Sequence, residues 1–421
     1  MKICMLTNTY RPHVGGVAGS VSTLVEECRG AGHDVRVVAP GFPGDQHETD
    51  PGVLRVPAWQ RFNGSDFSVP VPLPHFIASE LADFEPEIVH SHHPFLLGDA
   101  ALRWSYAHHV PLIFTHHTLY ENYTHYVPLD SPALKRFVIH LATAYANCCD
   151  AVIAPSQGIA DLLRSRGVES RIEVIPTGID TRAFAGAAGD EFRRARGIPA
   201  DALVLGHVGR LAQEKNLDFL GESVARWLQG RVTTAGFCWW AMGRAVRRCS
   251  ELFERAGVSQ RVLMTGKLTG STLCDAYAAM DGFAFASLTE TQGMVVAEAM
   301  AAGLPVIALD GPGVGDVVVD GENGRLLASG SSVADFAAAL EQGMDESTLG
   351  GWRAAARETA SAFDRSTCAR SVMDLYQTLG GKQVRERSGL EVVGSPAGQD
   401  RGGVGADLGA GRFRQWQFPG S

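Results

Sequence analysis

Two carboxylates, Glu290 and Glu298, stand eight positions apart on either side of Gly293, and the apolar run after Gly293 stops at Gly303-Leu304-Pro305. Residues 283–288 have the continuous apolar character of a buried parallel strand. Glu290 therefore falls in the loop at that strand's C-terminal end, where open α/β sheets bind ligands. A helix opening at Gly293 leaves the N–H groups of Gly293, Met294 and Val295 without intrahelical partners, at the positive end of the helix dipole. Those groups suit an anion such as a phosphate. The flanking acids repel a bare phosphate, so their natural partners are hydroxyls of a sugar or a ribose. The chemistry this spacing serves is the holding of a phosphorylated sugar.

Other loops carry charge or room of the right kind. Residues 203–208 read as a strand ending in Gly209-Arg210, and Glu214-Lys215-Asn216 leads from there into a helix. Arg210 and Lys215 are two cations above a strand end, able to neutralise a diphosphate leaving group. Near the N-terminus, residues 2–7 read as a strand and Gly15-Gly16-Val17 as a loop feeding a helix over about residues 18–31. Its glycines allow close backbone approach and release φ. The loop lacks the G-x-G-x-x-G spacing of dinucleotide-binding turns, which argues against a dehydrogenase. His116 and His117 follow a strand at residues 113–115; neighbours on a strand face opposite ways, so at most one enters a given cleft. With His90, His92, His93, His108 and His109 they raise the question of a metal. No zinc-type ligand spacing recurs, no Cys stands nearby and no Asp-x-Asp pair is present, so no metal is expected.

These loops need a scaffold that brings them together. Residues 36–40, 87–90, 112–114, 151–154 and 171–175 read as successive buried strands with helices between most of them, and a second set follows at 203–205, 262–264, 282–284, 306–308 and 324–327. Such alternation predicts an α/β fold of two Rossmann-like doubly wound domains with a cleft between them. A chain of 421 residues with 45% hydrophobic content suits two or three globular domains. The net charge of −9 makes nucleic acid an unsuitable partner. Eight cysteines without a C-x-x-C pair suit a reduced, cytoplasmic compartment. No run is long enough to span a bilayer, and the first residues lack the order of a signal peptide. Residues 381–421, rich in Gly, Arg, Gln and Ser, read as a disordered tail.

In their order along the chain, the E-x7-E of Glu290 and Glu298, the Gly209-Arg210-Leu211 with Glu214-Lys215-Asn216, the strand-end His117-Thr118 and the Gly-Gly-Val loop resemble the motifs of retaining glycosyltransferases of family 4 (glycosyl transferases group 1), which have the GT-B fold. The resemblance covers roughly residues 1–380. It implies an acceptor-side domain at 1–175 and a nucleotide-sugar domain at 176–380, hinged at Pro176-Thr177-Gly178-Ile179-Asp180, with a last helix near 369–379 crossing back. It implies a metal-independent hexosyltransferase, without cofactor, in which Glu290 holds the donor hexose, Glu298 the ribose, and Gly293, Met294 and Val295 the diphosphate. Arg210 and Lys215 bind that diphosphate, His117 lies near the donor sugar, and Gly15 and Gly16 border donor and acceptor. His116 is then structural. Retention is attributed in the family to same-face attack, with the departing phosphate oxygen taking the acceptor's proton.

The acceptor is read from His117-Thr118-Leu119-Tyr120-Glu121-Asn122-Tyr123, which resembles a stretch in diacylglycerol glucosyltransferases and related lipid glycosyltransferases. A membrane lipid is therefore favoured over a soluble sugar and UDP over GDP, with Tyr10 and Tyr120 at the acceptor. Residues 134–141 form a candidate interfacial helix at the inner face of the membrane. One stretch departs from the family. Where an apolar strand and a Gly-Asp-Gly-Pro turn are expected, the chain reads Gly236-Phe237-Cys238-Trp239-Trp240-Ala241-Met242-Gly243-Arg244. Codons for this run, read one nucleotide out of phase, can encode Leu-Leu-Val-Gly-Asp-Gly-Pro, which points to a compensated pair of frameshifts between about residues 230 and 250. Burial of Arg244, Arg247 or Arg248 there would be costly. Two alternatives stay open: a nucleotide-sugar epimerase of the same fold, and a nucleotide-binding protein inactivated by this segment.

Overall fold

The computed structural model describes residues 1–13, 15–42, 50–60, 68–126, 131–210, 215–230, 235–242 and 246–380. The expected tail at 381–421 lies outside them. Nine strands precede residue 180: β1 (Lys2–Leu6), β2 (Asp34–Pro40), β3 (Val53–Val56), β4 (Ala58–Trp59), β5 (Val69–Pro70), β6 (Ile88–Ser91), β7 (Leu112–Thr115), β8 (Ala151–Ala154) and β9 (Ile172–Val174). Six follow it: β10 (Leu203–Arg210), β11 (Ala235–Met242), β12 (Val262–Met264), β13 (Gly282–Phe285), β14 (Val306–Leu309) and β15 (Gly324–Leu327).

Two parallel sheets result. The first runs β3-β2-β1-β6-β7-β8-β9 and the second β12-β11-β10-β13-β14-β15. In each, the order reverses beside the first strand laid down, which opens a crevice at the strands' C-terminal ends. The central strands are buried on both faces, as their unbroken apolar runs require: Ile3, Cys4, Met5 and Leu6 are fully buried, as are Phe283 and Ala284. Strand β3 and the short antiparallel pair β4-β5 were not expected from the sequence. Each is short, and the stretches carry no clean alternation.

At the anomalous segment the backbone keeps its place. Residues Ala235–Met242 form an eight-residue strand in register with β10 on one side and β12 on the other. Gly243, Arg244 and Ala245 lie outside the described residues. The expected burden of buried arginines is corrected for the other two: Arg247 and Arg248 are exposed and pair with Glu251 and Asp218.

The helix Arg365–Gly380 returns to the first sheet. Its Val372, Leu375, Tyr376 and Leu379 join Ile3, Met5, Val21 and Ile113 in one core cluster. Gly178 lets the chain at the hinge approach this helix, since a Cβ there would sit 2.4 Å from Arg365 Cα. Arg365 pairs with Glu27 of the first half and lies near Asp180 of the hinge.

Candidate active site

The helix Met294–Ala301 follows β13 through a tight loop, and its N-cap, Gly293, sits at φ 73°, in the left-handed region that favours glycine. No side chain caps this helix. Its first N–H groups thus retain their capacity for an anion, and Met294 and Val295 are partly exposed. Glu290, in the loop, pairs with Lys215 at the start of the helix that follows β10. Both are largely buried, so the two charges compensate each other under weak solvent screening. Glu298, one turn into the helix, accepts a hydrogen bond from the Tyr277 hydroxyl at 2.8 Å. Burial raises its carboxyl from the usual range to about 7, against the opposing effect of that bond. The residue nevertheless keeps part of its surface open. Arg210 is the last residue of β10; its side chain lies outside what is described.

Across from this loop stands a layer of histidines on the first sheet. His117, after β7, is partly exposed, and its Nε2 lies 2.9 Å from Nδ1 of His92. Burial holds His117 down to about 4, so its ring is neutral at physiological pH. His90, on β6, is bonded through Nδ1 to the Tyr376 hydroxyl and through Nε2 to Thr115 Oγ1, each at 2.7 Å. His116 is buried on the other face, with neither ring nitrogen hydrogen-bonded, and packs edge-on against Phe114 and Tyr120.

Gly15 and Gly16 need one correction. Gly15 is extended at φ −170°, a conformation open to any residue, and Gly16 is not among the glycines at positive φ. What Gly16 supplies is space, since a Cβ there would meet nothing within 4 Å. Tyr10 and Tyr120, expected at the acceptor, are core residues, 4% and 8% exposed. Tyr10 lies under the Arg55 guanidinium, and the Tyr120 hydroxyl has no partner. A surface role for the Tyr120 ring does not fit that burial.

The loop carrying Glu290 is tied directly to the first half. Thr291 Oγ1 donates to the carbonyl of His117 at 2.8 Å, and Ser156 Oγ donates to the carbonyl of Thr291 at 2.7 Å. Gln292 clasps the hinge: its side-chain oxygen accepts from Thr177 N–H at 2.6 Å and its amide donates to the Thr177 carbonyl at 2.8 Å. The backbone of His117 and the loop that carries Glu290 are therefore in direct contact. Sequence reading assigned no site role to Gln292, Ser156 or Tyr277, placed Thr177 only in the expected hinge, and weighed His92 only as a metal ligand. Gln292, Thr177 and Ser156 are tied into the site from afar, through contacts more than a hundred residues apart, which no local pattern encodes. Among the described residues, no group of His, Cys, Asp and Glu is arranged to hold a metal ion, and no helix is long and apolar enough to cross a membrane.

Comparison with known proteins places this geometry. The family description Glycosyltransferase Family 4 matches residues 14–183, and Glycosyl transferases group 1 matches residues 202–346. The chain is 26% identical to alpha-monoglucosyldiacylglycerol synthase of Acholeplasma laidlawii, over 90% of this chain and 97% of that one. It is 30% identical to GDP-mannose-dependent alpha-mannosyltransferase of Mycobacterium tuberculosis, over 78% of this chain and 84% of that one. Among solved structures, sucrose-phosphate synthase from Thermosynechococcus elongatus superposes with a TM-score of 0.76 at 22% identity, covering 90% of this chain and 98% of that one. Anabaena HepE in complex with UDP-glucose superposes at 0.71 with 21% identity, covering 90% and 100%. At such identities the structures speak for the fold, which is GT-B. The chain belongs to the family 4 glycosyltransferases.

Proposed function

We propose that this protein transfers a hexose, with retention, from a nucleotide diphosphate sugar to a hydroxyl acceptor, with a UDP-sugar as donor and a membrane lipid as acceptor. The observation that carries the reading is the Lys215–Glu290 pair on a loop that leads into the uncapped helix at Gly293, which carries Glu298, and that is hydrogen-bonded through Thr291 to His117. As the glycosidic bond to the diphosphate breaks, negative charge grows on the leaving phosphate. Lys215, Arg210 and the N–H groups of Gly293 to Val295 stabilise that charge, the kind of electrostatic contribution that dominates such sites. Glu290, released from Lys215 by the incoming diphosphate, accepts hydroxyls of the hexose. Glu298 accepts the ribose hydroxyls, and His117 stands at the sugar. The phosphate oxygen set free takes the acceptor's proton on the same face, and no metal is required.

The names of relatives support the choice of acceptor: the Acholeplasma laidlawii relative is an alpha-monoglucosyldiacylglycerol synthase. A membrane surface is also consistent with the helix Pro132–Asn147, where Phe137 is 60% exposed, Leu141 one turn on is exposed, and Lys135 and Arg136 are exposed in the first turns. Against that, the same family includes GDP-mannose users among the relatives. The test is mass spectrometry of products from UDP-glucose, UDP-galactose and GDP-mannose. Each donor is offered diacylglycerol vesicles, phosphatidylinositol vesicles or soluble sugars, with and without EDTA. A hexosylated lipid formed equally well in EDTA is expected. Product only from GDP-mannose would replace the donor, product only on soluble sugars would replace the acceptor, and loss in EDTA would reinstate a metal.

A further inference from the structure

His92 has no part in the scheme above, yet it is one of the most constrained polar residues in the protein. It is 1% exposed, and its ring lies against that of His117 with centroids 5.2 Å apart and planes 26° from parallel. On its other side the His90 ring is 4.2 Å away, itself held by Tyr376 and Thr115. His92 Nδ1 meets His117 Nε2 at 2.9 Å, while His92 Nε2 is buried without a hydrogen-bond partner. His92 borders a cavity of about 40 Å³, large enough for a water, that Ser20, Thr177 and Arg365 also line.

A neutral imidazole has one donor nitrogen and one acceptor, so two such rings bond in only two tautomer combinations. In either, the bond settles which nitrogen of His117 carries the hydrogen. With Nε2 engaged by His92, Nδ1 is the ring nitrogen of His117 left to face a ligand. Burial, together with the neighbouring imidazoles, pushes His92 well below the usual histidine range, so the pair stays neutral where the enzyme works. The backbone of His117 is meanwhile held by Thr291 from the donor loop. His117 is thus gripped at two points, ring and carbonyl, from the two halves.

We propose that His92 is a positioning residue, which fixes the His117 ring in one tautomer and one orientation with Nδ1 toward the donor sugar. This rests on the reading of His117 as the residue at that sugar, so the test separates the two. In full-length protein labelled with ¹⁵N-histidine, the His117 ring should show one neutral tautomer and no titration above about pH 5, in line with its depressed range. His92→Ala should give a mixture of neutral tautomers, since the burial that holds the ring neutral is retained, while His92→Asn, which retains a polar atom at the Nδ1 position, should restore the single form. In transfer from UDP-glucose to dioleoylglycerol in phosphatidylglycerol vesicles, His92→Ala should lower kcat about 10-fold, the scale on which partners of a functional histidine act, with donor KM little changed. His117→Ala should cost more, and His92→Ala should add nothing in that background. A single unaltered His117 tautomer in His92→Ala, or losses that multiply in the double variant, would overturn the proposal. Normal transfer by His117→Ala would instead remove His117 from the donor site, and the tautomer measurement would still decide whether His92 fixes the ring.

Discussion

Lys215 and Glu290 are partners before any donor arrives. Removing the cation takes an ion pair from a largely buried carboxylate and one positive charge from the proposed diphosphate site. Lys215→Met is therefore expected to lower kcat/KM by about 10²-fold or more, and wild-type turnover in that variant would show that the diphosphate lies elsewhere. Glu298 gives a pH prediction. Its folded range is raised above the ordinary 4.5, to about 7, so between those values the folded protein keeps a proton that the unfolded chain has released. The stability contributed by the neutral carboxyl is complete below the lower value and lost as pH rises through the higher one. Ribose hydroxyls donate best to the charged form, so UDP binding at pH 6 should release a proton, and Glu298→Gln should abolish the release. Calorimetry in two buffers of different ionisation enthalpy reads this directly; binding without proton exchange would place the ribose away from Glu298. Acids and cations such as these were legible in the sequence because their spacing is local. Their mutual pairing was not, since Lys215 and Glu290 are brought together only by adjacent strands β10 and β13.

The helix Met294–Ala301 depends on its entry. Gly293 sits at positive φ with the carbonyl of Gly313 close by, and Gly313 itself has room for no side chain against Thr291 and Gln292. Gly293→Ala should cost about 1–2 kcal/mol of stability, read as a lower Tm, and weaken UDP binding by displacing the first N–H groups. Gln292→Ala would leave both backbone groups of Thr177 without their present partner, a loss of about 1–3 kcal/mol if they stay buried. Hydrogen exchange at residues 290–293 should rise in that variant; unchanged exchange would mean that the clasp does not restrain the loop. Strand β11 is the element that the sequence concealed. Departure from the family pattern made residues 236–244 look foreign to a sheet, yet hydrogen bonding along β10 and β12 makes a strand of Ala235–Met242. Replacing the run by the out-of-phase reading Leu-Leu-Val-Gly-Asp-Gly-Pro should raise the melting temperature and tighten UDP binding. No gain in either would argue that the present residues are the native ones. The main parallel strands were plain beforehand because double burial leaves them as unbroken apolar runs, whereas the two-residue β4 and β5 carry too little sequence to announce themselves.

At the scale of the molecule, the proposed membrane contact has to be reconciled with the overall charge. The chain carries −9 overall, so attraction to an acidic membrane has to be local. The helix Pro132–Asn147 exposes Phe137 and Leu141 one turn apart on one face, with Lys135 and Arg136 exposed nearer its start. Phe137→Asp, at an exposed position with little effect on folding, should reduce co-sedimentation with phosphatidylglycerol vesicles several-fold; unchanged sedimentation would exclude this face as the contact. The two halves are also joined by more than a hinge, since the last described helix completes the packing beneath the first sheet. Val372, Leu375, Tyr376 and Leu379 belong to the same core as Ile3 and Met5, and the His90–Tyr376 bond spans 286 positions of sequence. Domains usually fold in turn as they leave the ribosome. Here the earliest strands emerge long before the side chains that complete their core, so the first lobe keeps part of that face uncovered until the helix Arg365–Gly380 has been made.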